Sequence, residues 1–362
     1  MSKVKKTSIV IAIVFIVSGF ALSFTAFAMM GFDYKKFETE KYEMKETKPE
    51  GSFSKIIVDS SVEVKFAASV DGTTRVSYPV FEDAPHDIRV EDDTLKIMVK
   101  RGDWHWTTMF IPHISFGSAK MTIYLPKDQY ESLVIESNSG DVLVPENFTF
   151  GDMTVKTTSG DVISRAQVTG AQSIKTTSGN IVDKNAKVKT LVLNATSGDI
   201  RLEAANVTET LAIKTFSGNV VLENVKGGAN LTVDRTSGDL HINDAEFADA
   251  AVESTSGDST LKNMNVSSLS VKAASGEIWI GTVQMDGDAM IKTSSGDIVL
   301  RKFDAANLTI QASSGDVSAE LLSNKNYTVH TSSGSSRYPD DGGNGFCKVT
   351  TSSGDVRITV VK

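Results

Sequence analysis

An acidic residue, or its amide, recurs along the chain directly after a glycine. The series runs Asp141, Asp161, Asn180, Asp199, Asn219, Asp239, Asp258, Glu277, Asp297, Asp316 and Asp355, with Ser335 once. Carboxylates at a fixed spacing point to one kind of chemistry. Stacked in register at a strand spacing of about 5 Å they would repel one another. Such a row could recruit Ca²⁺, which takes clusters of oxygen ligands. Asp141, Asp161, Asp199, Asp239, Asp258, Asp297 and Asp316 are the metal-ligand candidates on that reading. The competing reading makes each one a turn residue whose side chain satisfies its own turn's backbone. Asn at two positions and Ser at one favour the turn, because a hard-cation site is weakened by each loss of charge. The nonapeptide of Ca²⁺-binding β-roll repeats is absent.

Catalytic constellations do not emerge elsewhere. His86, His105, His113, His241 and His330 show no metal-ligand spacing, and no Ser-His-Asp assignment suggests itself. Pairs such as Asp234 with Asp239 are produced by the repeat itself. The single cysteine, Cys347, excludes a disulfide framework and a cysteine metal cluster. No cofactor is expected. The aromatic hot region is Arg101 to Phe110, which holds Trp104, Trp106 and Phe110. It is either a contact surface for membrane, glycan or partner, or a loop that plugs one end of the fold. Trp279 joins Leu143, Ile163, Val182, Val221 and Val299 at an outward position three residues after the glycine. That stripe either binds a partner or reflects the strand preference of β-branched residues.

These residues are positioned by a repeat. Ser-Gly occurs twelve times, at Gly140, Gly160, Gly179, Gly198, Gly218, Gly238, Gly257, Gly276, Gly296, Gly315, Gly334 and Gly354, in steps of 19 or 20. Seven and five residues before the glycine stand apolar pairs such as Leu191 and Leu193, or Leu211 and Ile213. Three before it the residue is small, as in Thr157, Ala195 and Ala312. Two and four after it come Ile200 and Leu202, or Val220 and Leu222. Alternation with period two marks strands with one buried face. Each repeat therefore holds two strands that meet at a Ser-Gly-Asp corner, where glycine supplies positive φ without a Cβ clash. A third apolar contact at Val168, Val188, Val207 or Phe247 implies a short third side, and the one-residue wobble must be absorbed near it. One rung buries too few aliphatic side chains to offset the ordering of 19 residues, so rungs must stack. The expected fold is all-β: a parallel β-solenoid of about twelve rungs of 19–20 residues.

The flanks differ. Residues 52 to 130 lack the repeat yet read as strands, so 51–130 is expected to form a β-rich N-terminal cap on the solenoid of 131–362. Residues 33–50 form a linker dense in charges of both signs. Ahead of it, Thr7 to Phe32 holds 26 residues without a charge, behind Lys3, Lys5 and Lys6. That exceeds the ~20 residues that span a bilayer as a helix. Residues 1–32 are read as a transmembrane signal-anchor with a cytoplasmic N-terminus and everything after it extracytoplasmic. Ala26-Phe27-Ala28 also fits a cleavage site, but the apolar stretch is longer than the core of a signal peptide. The net charge of −8 argues against a nucleic-acid partner.

The chain resembles the bacterial adhesin-labelled family of β-strand-repeat domains of unknown function, which includes LiaG-like envelope proteins. The resemblance rests on Phe53-Ser54-Lys55-Ile56-Ile57-Val58, Ile123-Tyr124-Leu125-Pro126, Leu133-Val134-Ile135, the repeated Thr-Ser-Gly-Asp and the closing Ser353-Gly354-Asp355-Val356-Arg357-Ile358. It covers roughly residues 50 to 362 and implies a bacterial envelope setting without catalytic residues. Together these features lead to a non-enzymatic, membrane-anchored rod, adhesin-like or associated with envelope stress. Its partners would be the membrane and an envelope protein or cell-wall glycan. A polysaccharide-active β-helix enzyme is the alternative, as is a scaffold polymerising end to end through an uncapped last strand.

Overall fold

The protein is described by a computed structural model that covers Ser18, Gly19, Thr25 and residues 42–81, 86–99 and 119–361. Almost all of it is β-strand, and the repeats form a parallel β-solenoid of about 11 turns. The twelve Ser-Gly corners lie in one column, which makes eleven steps from first to last.

Each expected face is where the alternation put it. On the first side of the rung, Leu191, Leu211 and Leu231 stack in register, beside Leu193, Ile213 and Val233. On the second side Ile200, Val220 and Leu240 do the same. All are buried. The corner glycines have no room for a side chain. A Cβ on Gly198, whose φ is 141°, would lie 2.0 Å from the carbonyl oxygen of Gly179 in the layer below. The wobble between 19 and 20 is taken up by register shifts between Val188 and Thr190, Ala229 and Leu231, and Leu300 and Phe303. The first two fall after the third side, near the place the spacing suggested.

A second corner follows six residues after the glycine, and no single residue type marks it in every layer. Asn185, Ala204, Asn224, Asp244, Asn263, Thr282 and Lys302 all carry φ between 50° and 61° there. Asn and Asp tolerate this left-handed conformation, while Ala, Thr and Lys adopt it at a cost. The layers above and below repeat the bend and hold them to it. The serines before the corner glycines link neighbouring layers. Ser237, Ser256 and Ser275 donate to backbone carbonyls of the neighbouring layer, at 3.2 Å each.

The order of layers departs from the order of the chain at both ends. Strand Lys55–Ser60 pairs in parallel with Gln129–Ser139 on one side and with Thr94–Val99 on the other. Strand Glu63–Ala68 likewise lies between Val142–Val144 and Lys120–Leu125. The region expected to be a β-rich cap thus contributes two further layers of the solenoid, with the chain's earlier one inside. Beyond them antiparallel strands close the end: His86–Glu91 on Thr94–Val99, and Arg75–Val80 on Lys120–Leu125, with Glu43–Thr47 outermost.

At the other end Phe346–Ser353 is inserted between Asn307–Ser314 and Asn326–Ser333. Gly354 therefore sits over Gly315, and Gly334 over Gly354. The last strand, Val356–Val360, is internal: it pairs along its length with Val317–Leu321 and, at Val356 and Arg357, with Ser336–Arg337 on its other edge. It is not the open edge that motivated end-to-end polymerisation. The outermost layer is 326–337, where Asp341 accepts the edge N–H of Tyr327 at 2.6 Å. A carboxylate at that position blunts the strand edge.

The expected anchor over 1–32 and the aromatic region of Trp104, Trp106 and Phe110 lie outside the described residues, save Ser18, Gly19 and Thr25. Among the described residues no helix is long and apolar enough to cross a membrane.

Candidate functional site

The acidic row after the glycines is a structural ladder. Asp141 Oδ1 accepts the backbone N–H of Asp161 at 2.8 Å, and Asp161 Oδ1 that of Asn180 at 2.7 Å. Asn180 passes the pattern to Asp199, and it continues through Asn219, Asp239 and Asp258 to Glu277. Asp297, Asp316 and Asp355 resume it and end it on Ser335. Each side chain satisfies the corner of the next layer rather than its own. An amide oxygen serves as well as a carboxylate, which explains Asn180 and Asn219. Ser335 needs no acceptor because its layer is outermost. Hydrogen bonds from the N–H and hydroxyl of Ser335 hold the Asp355 carboxyl below the usual carboxylate range. Every Asp named as a metal-ligand candidate, Asp141, Asp161, Asp199, Asp239, Asp258, Asp297 and Asp316, commits one oxygen in this way. Among the described residues no three His, Cys, Asp or Glu side chains are grouped as a metal site.

Most outward charges on the first and second sides are paired between layers. Lys156 meets Glu136 at 3.2 Å, Lys214 meets Asp234 at 2.8 Å and Lys272 meets Glu253 at 2.8 Å on the first side. Lys184 meets Glu203 at 2.8 Å and Arg201 reaches Glu223 at 2.8 Å on the second. Of the Asp234–Asp239 pair, one carboxylate binds Lys214 and the other belongs to the corner ladder.

The third side is different. Between the Gly218 and Gly315 layers it carries an open groove in two continuous parts of about 600 and 380 Å³, which share Met264, Asn265 and Thr282. The left-handed corner residues Asn224, Asp244, Asn263, Thr282 and Lys302 form part of its wall. Two residues further on, Lys226, Glu246, Asn265 and Gln284 point outward, with Met264 and Val283 buried between them. Asp244 accepts from Asn263 at 2.9 Å. Lys226, Glu246, Asn265, Thr282, Gln284, Asp286 and Lys302 have no side-chain partner within the described protein. Five steps of ~4.8 Å between six layers make the groove roughly 24 Å long.

Trp279 lies beside it. Its indole covers Gly281, where an added Cβ would meet the ring at 2.2 Å. The same position in other layers holds Glu223, Asn243, Lys262 and Arg301. The next residue, Thr282, is part of the groove wall.

The sequence pattern of the family described as Toastrack DUF4097 matches residues 53–242 and again 205–359. The chain belongs to the Toastrack family. That establishes the resemblance drawn from the repeated Thr-Ser-Gly-Asp: a domain of unknown function found in bacterial envelope proteins. No curated protein matches the chain. Among solved structures it is similar to a candidate adhesin from Parabacteroides distasonis, at 15% identity, covering 76% of this chain and 98% of that one, with a TM-score of 0.39. A candidate adhesin from Parabacteroides merdae matches at 14% identity over 75% and 96% of the two chains, with a TM-score of 0.31. A candidate lipid-binding protein from Parabacteroides distasonis matches at 15% identity over 89% and 97%, with a TM-score of 0.31.

Two polar groups interrupt the core of this Toastrack chain. Gln172 and Asp183 occupy inward positions that hold Leu191 and Leu202 in the next layer, and Ser164 faces them from the layer before. Gln172 Nε2 donates to Asp183 Oδ2 at 2.5 Å. Burial pushes the Asp183 carboxyl up to about 7. Further along, Arg235 replaces the usual small residue three before Gly238 and is buried, donating to the Gly238 carbonyl at 2.5 Å and to Ser259 Oγ. Burial brings its guanidinium down to about 10. Of the outward stripe, Leu143, Ile163 and Val182 stack on consecutive layers and are half-buried, and Leu143 stands beside Lys65. Among the histidines, His86 packs on Tyr78 with ring centroids 4.9 Å apart, while His241 and His330 are exposed.

The groove was not anticipated from sequence. Its one legible signal was the run Asn185, Asn224, Asp244 and Asn263 at a constant offset from the glycines.

Proposed function

We propose that this protein is a non-enzymatic, adhesin-like rod, anchored in the cell membrane by residues 1–32 and holding an envelope partner along the groove of its third side. The observation that carries the reading is the contrast between sides. Many charges on two faces are tied up in cross-layer pairs, whereas a concave strip over successive layers leaves Lys226, Glu246, Asn265, Thr282, Gln284, Asp286 and Lys302 without a side-chain partner among the described residues. Parallel stacking makes the strip rigid, so a partner binds without ordering the site first. The uncharged stretch from Thr7 to Phe32 behind three lysines supports the anchor and an extracytoplasmic rod. Adhesion and envelope-stress sensing both require such a grip on the envelope.

Co-sedimentation of the full-length protein, in detergent micelles, with isolated bacterial cell wall tests this. Saturable binding, unchanged by Ca²⁺, is expected. Absence of binding in both conditions overturns the wall as partner. A strict Ca²⁺ requirement would return the corner aspartates to the role of metal ligands.

A further inference from the structure

We propose that the third-side groove seats an extended, uncharged, β-linked glycan strand, with one sugar residue on each layer. The proposal rests on the reading of the protein as an envelope-binding rod and names the ligand of its groove.

Spacing is the first argument. Layers recur every ~4.8 Å, close to the advance of one hexose in an extended β-linked chain. A polymer with that repeat meets the same backbone bend at each step, at Asn224, Asp244, Asn263, Thr282 and Lys302, whereas a folded protein partner would not. Chemistry is the second. Asn265, Gln284 and Thr282 offer donors and acceptors that no protein group uses. Amides and hydroxyls of this kind satisfy the hydroxyl and acetamido groups of sugars. Charge is the third. Lys226 and Lys302 line the same strip as Asp244, Glu246 and Asp286, so neither a polyanion nor a polycation finds a field of one sign.

The groove also disfavours a peptide strand. β-Augmentation needs an unpaired backbone edge. Along this wall the backbone is already engaged: Asn224 N–H reaches Asn243 O at 3.1 Å, Lys226 N–H reaches Ala205 O at 2.8 Å and Glu246 N–H reaches Val225 O at 2.8 Å. Side chains alone are available. Trp279 supplies the remaining element. Its indole occupies the space that Gly281 leaves open, at a corner where other layers carry long polar side chains. A flat aromatic face beside the wall residue Thr282 suits the apolar face of a pyranose ring.

The test is calorimetric titration of the full-length protein in micelles with β-1,4-linked N-acetylglucosamine oligomers of about two, four and six sugars, a range set by the six layers of the groove. Affinity is expected to climb from the dimer to the hexamer. The double variant N265A/Q284A should bind the hexamer roughly tenfold more weakly, and W279A roughly fivefold more weakly. Lys175→Ala, on the first side, should bind like wild type. All four residues are outward-facing, and circular dichroism confirms that each variant is folded. Equal affinity for dimer and hexamer overturns the one-sugar-per-layer seat. Wild-type affinity in N265A/Q284A and W279A overturns the groove as the site. Wall binding without binding of any oligomer overturns the glycan and leaves the envelope-binding rod standing. Loss of both removes the two together.

Discussion

Replacing Asp183 by asparagine should flatten the pH dependence of stability between pH 5 and pH 8. Asp183 is fully buried at an inward position where following layers carry Leu202, Leu222 and Ile242. Gln172 donates to one of its oxygens, the Lys184 N–H and the Ser164 hydroxyl add weaker interactions, and Gln172 Oε1 lacks a partner among the described residues. Burial raises the carboxyl from 3.8 to about 7. The folded state thus binds this proton more tightly than the unfolded chain does. The stabilisation from the proton is complete below pH 3.8 and is lost as pH rises through about 7. At ~1.4 kcal/mol per pH unit, the interval from pH 5 to about pH 7 contributes roughly 3 kcal/mol. The asparagine variant keeps the shape and a hydrogen bond to Gln172 but has no proton to lose. Thermal unfolding followed by circular dichroism should show wild type losing roughly 6 °C more than D183N over that range. Parallel pH profiles for the two proteins would refute the reasoning, because they would mean that the carboxylate stays hydrated or paired inside the rod. The double variant Q172L/D183L, which copies the leucines of the next layer, should be more stable than wild type at pH 8.

Gly198→Ala should cost roughly 3 kcal/mol, since its Cβ would press on the Gly179 carbonyl, whereas Gly228→Ala, with φ of 71° and open space around it, should cost about 1 kcal/mol; denaturant titration separates them. Asp199→Ala removes the acceptor for the Asn219 N–H and should cost about 1 kcal/mol, while Asp199→Asn keeps the oxygen and should be near neutral in the same titration. Native-state hydrogen exchange should find the amides of Phe346–Ser353 slower than those of Asn326–Ser333, although they lie nearer the C-terminus, because only the former strand is paired on both edges. The reverse order would contradict the inserted layer.

The inserted layers change how such a rod comes apart. A solenoid ordinarily frays from its ends, where the terminal repeat has one neighbour. Here the last strand is held between two others, and the outermost layer is covalently tethered at both its ends. Peeling 326–337 does not release a chain end. The N-terminal end uses the same device, with Lys55–Ala68 enclosed, and adds antiparallel strands outside.

The all-β solenoid, its inward faces and its glycine corner were determined by the sequence alone. Leu191, Leu193, Ile200 and Leu202 announce a buried face through a period of two residues, and Gly198 announces a corner through a conformation that only glycine takes freely. Both are local properties of the chain. Which layer stacks on which was not legible. Every Ser-Gly layer presents nearly the same pairing surface, so residues 346–360 fit equally well in chain order or one place inward. The return segment 338–345 and the contacts of Asn324, Asn326 and Tyr327 with it decide between them. For the same reason the partner of each corner aspartate, the next layer's N–H, became evident only once the layers were stacked. The groove is a further step from sequence. It arises where the left-handed corners of successive layers align, and a corner built from Asn224, Asp244, Asn263, Thr282 and Lys302 repeats a backbone shape rather than a residue type.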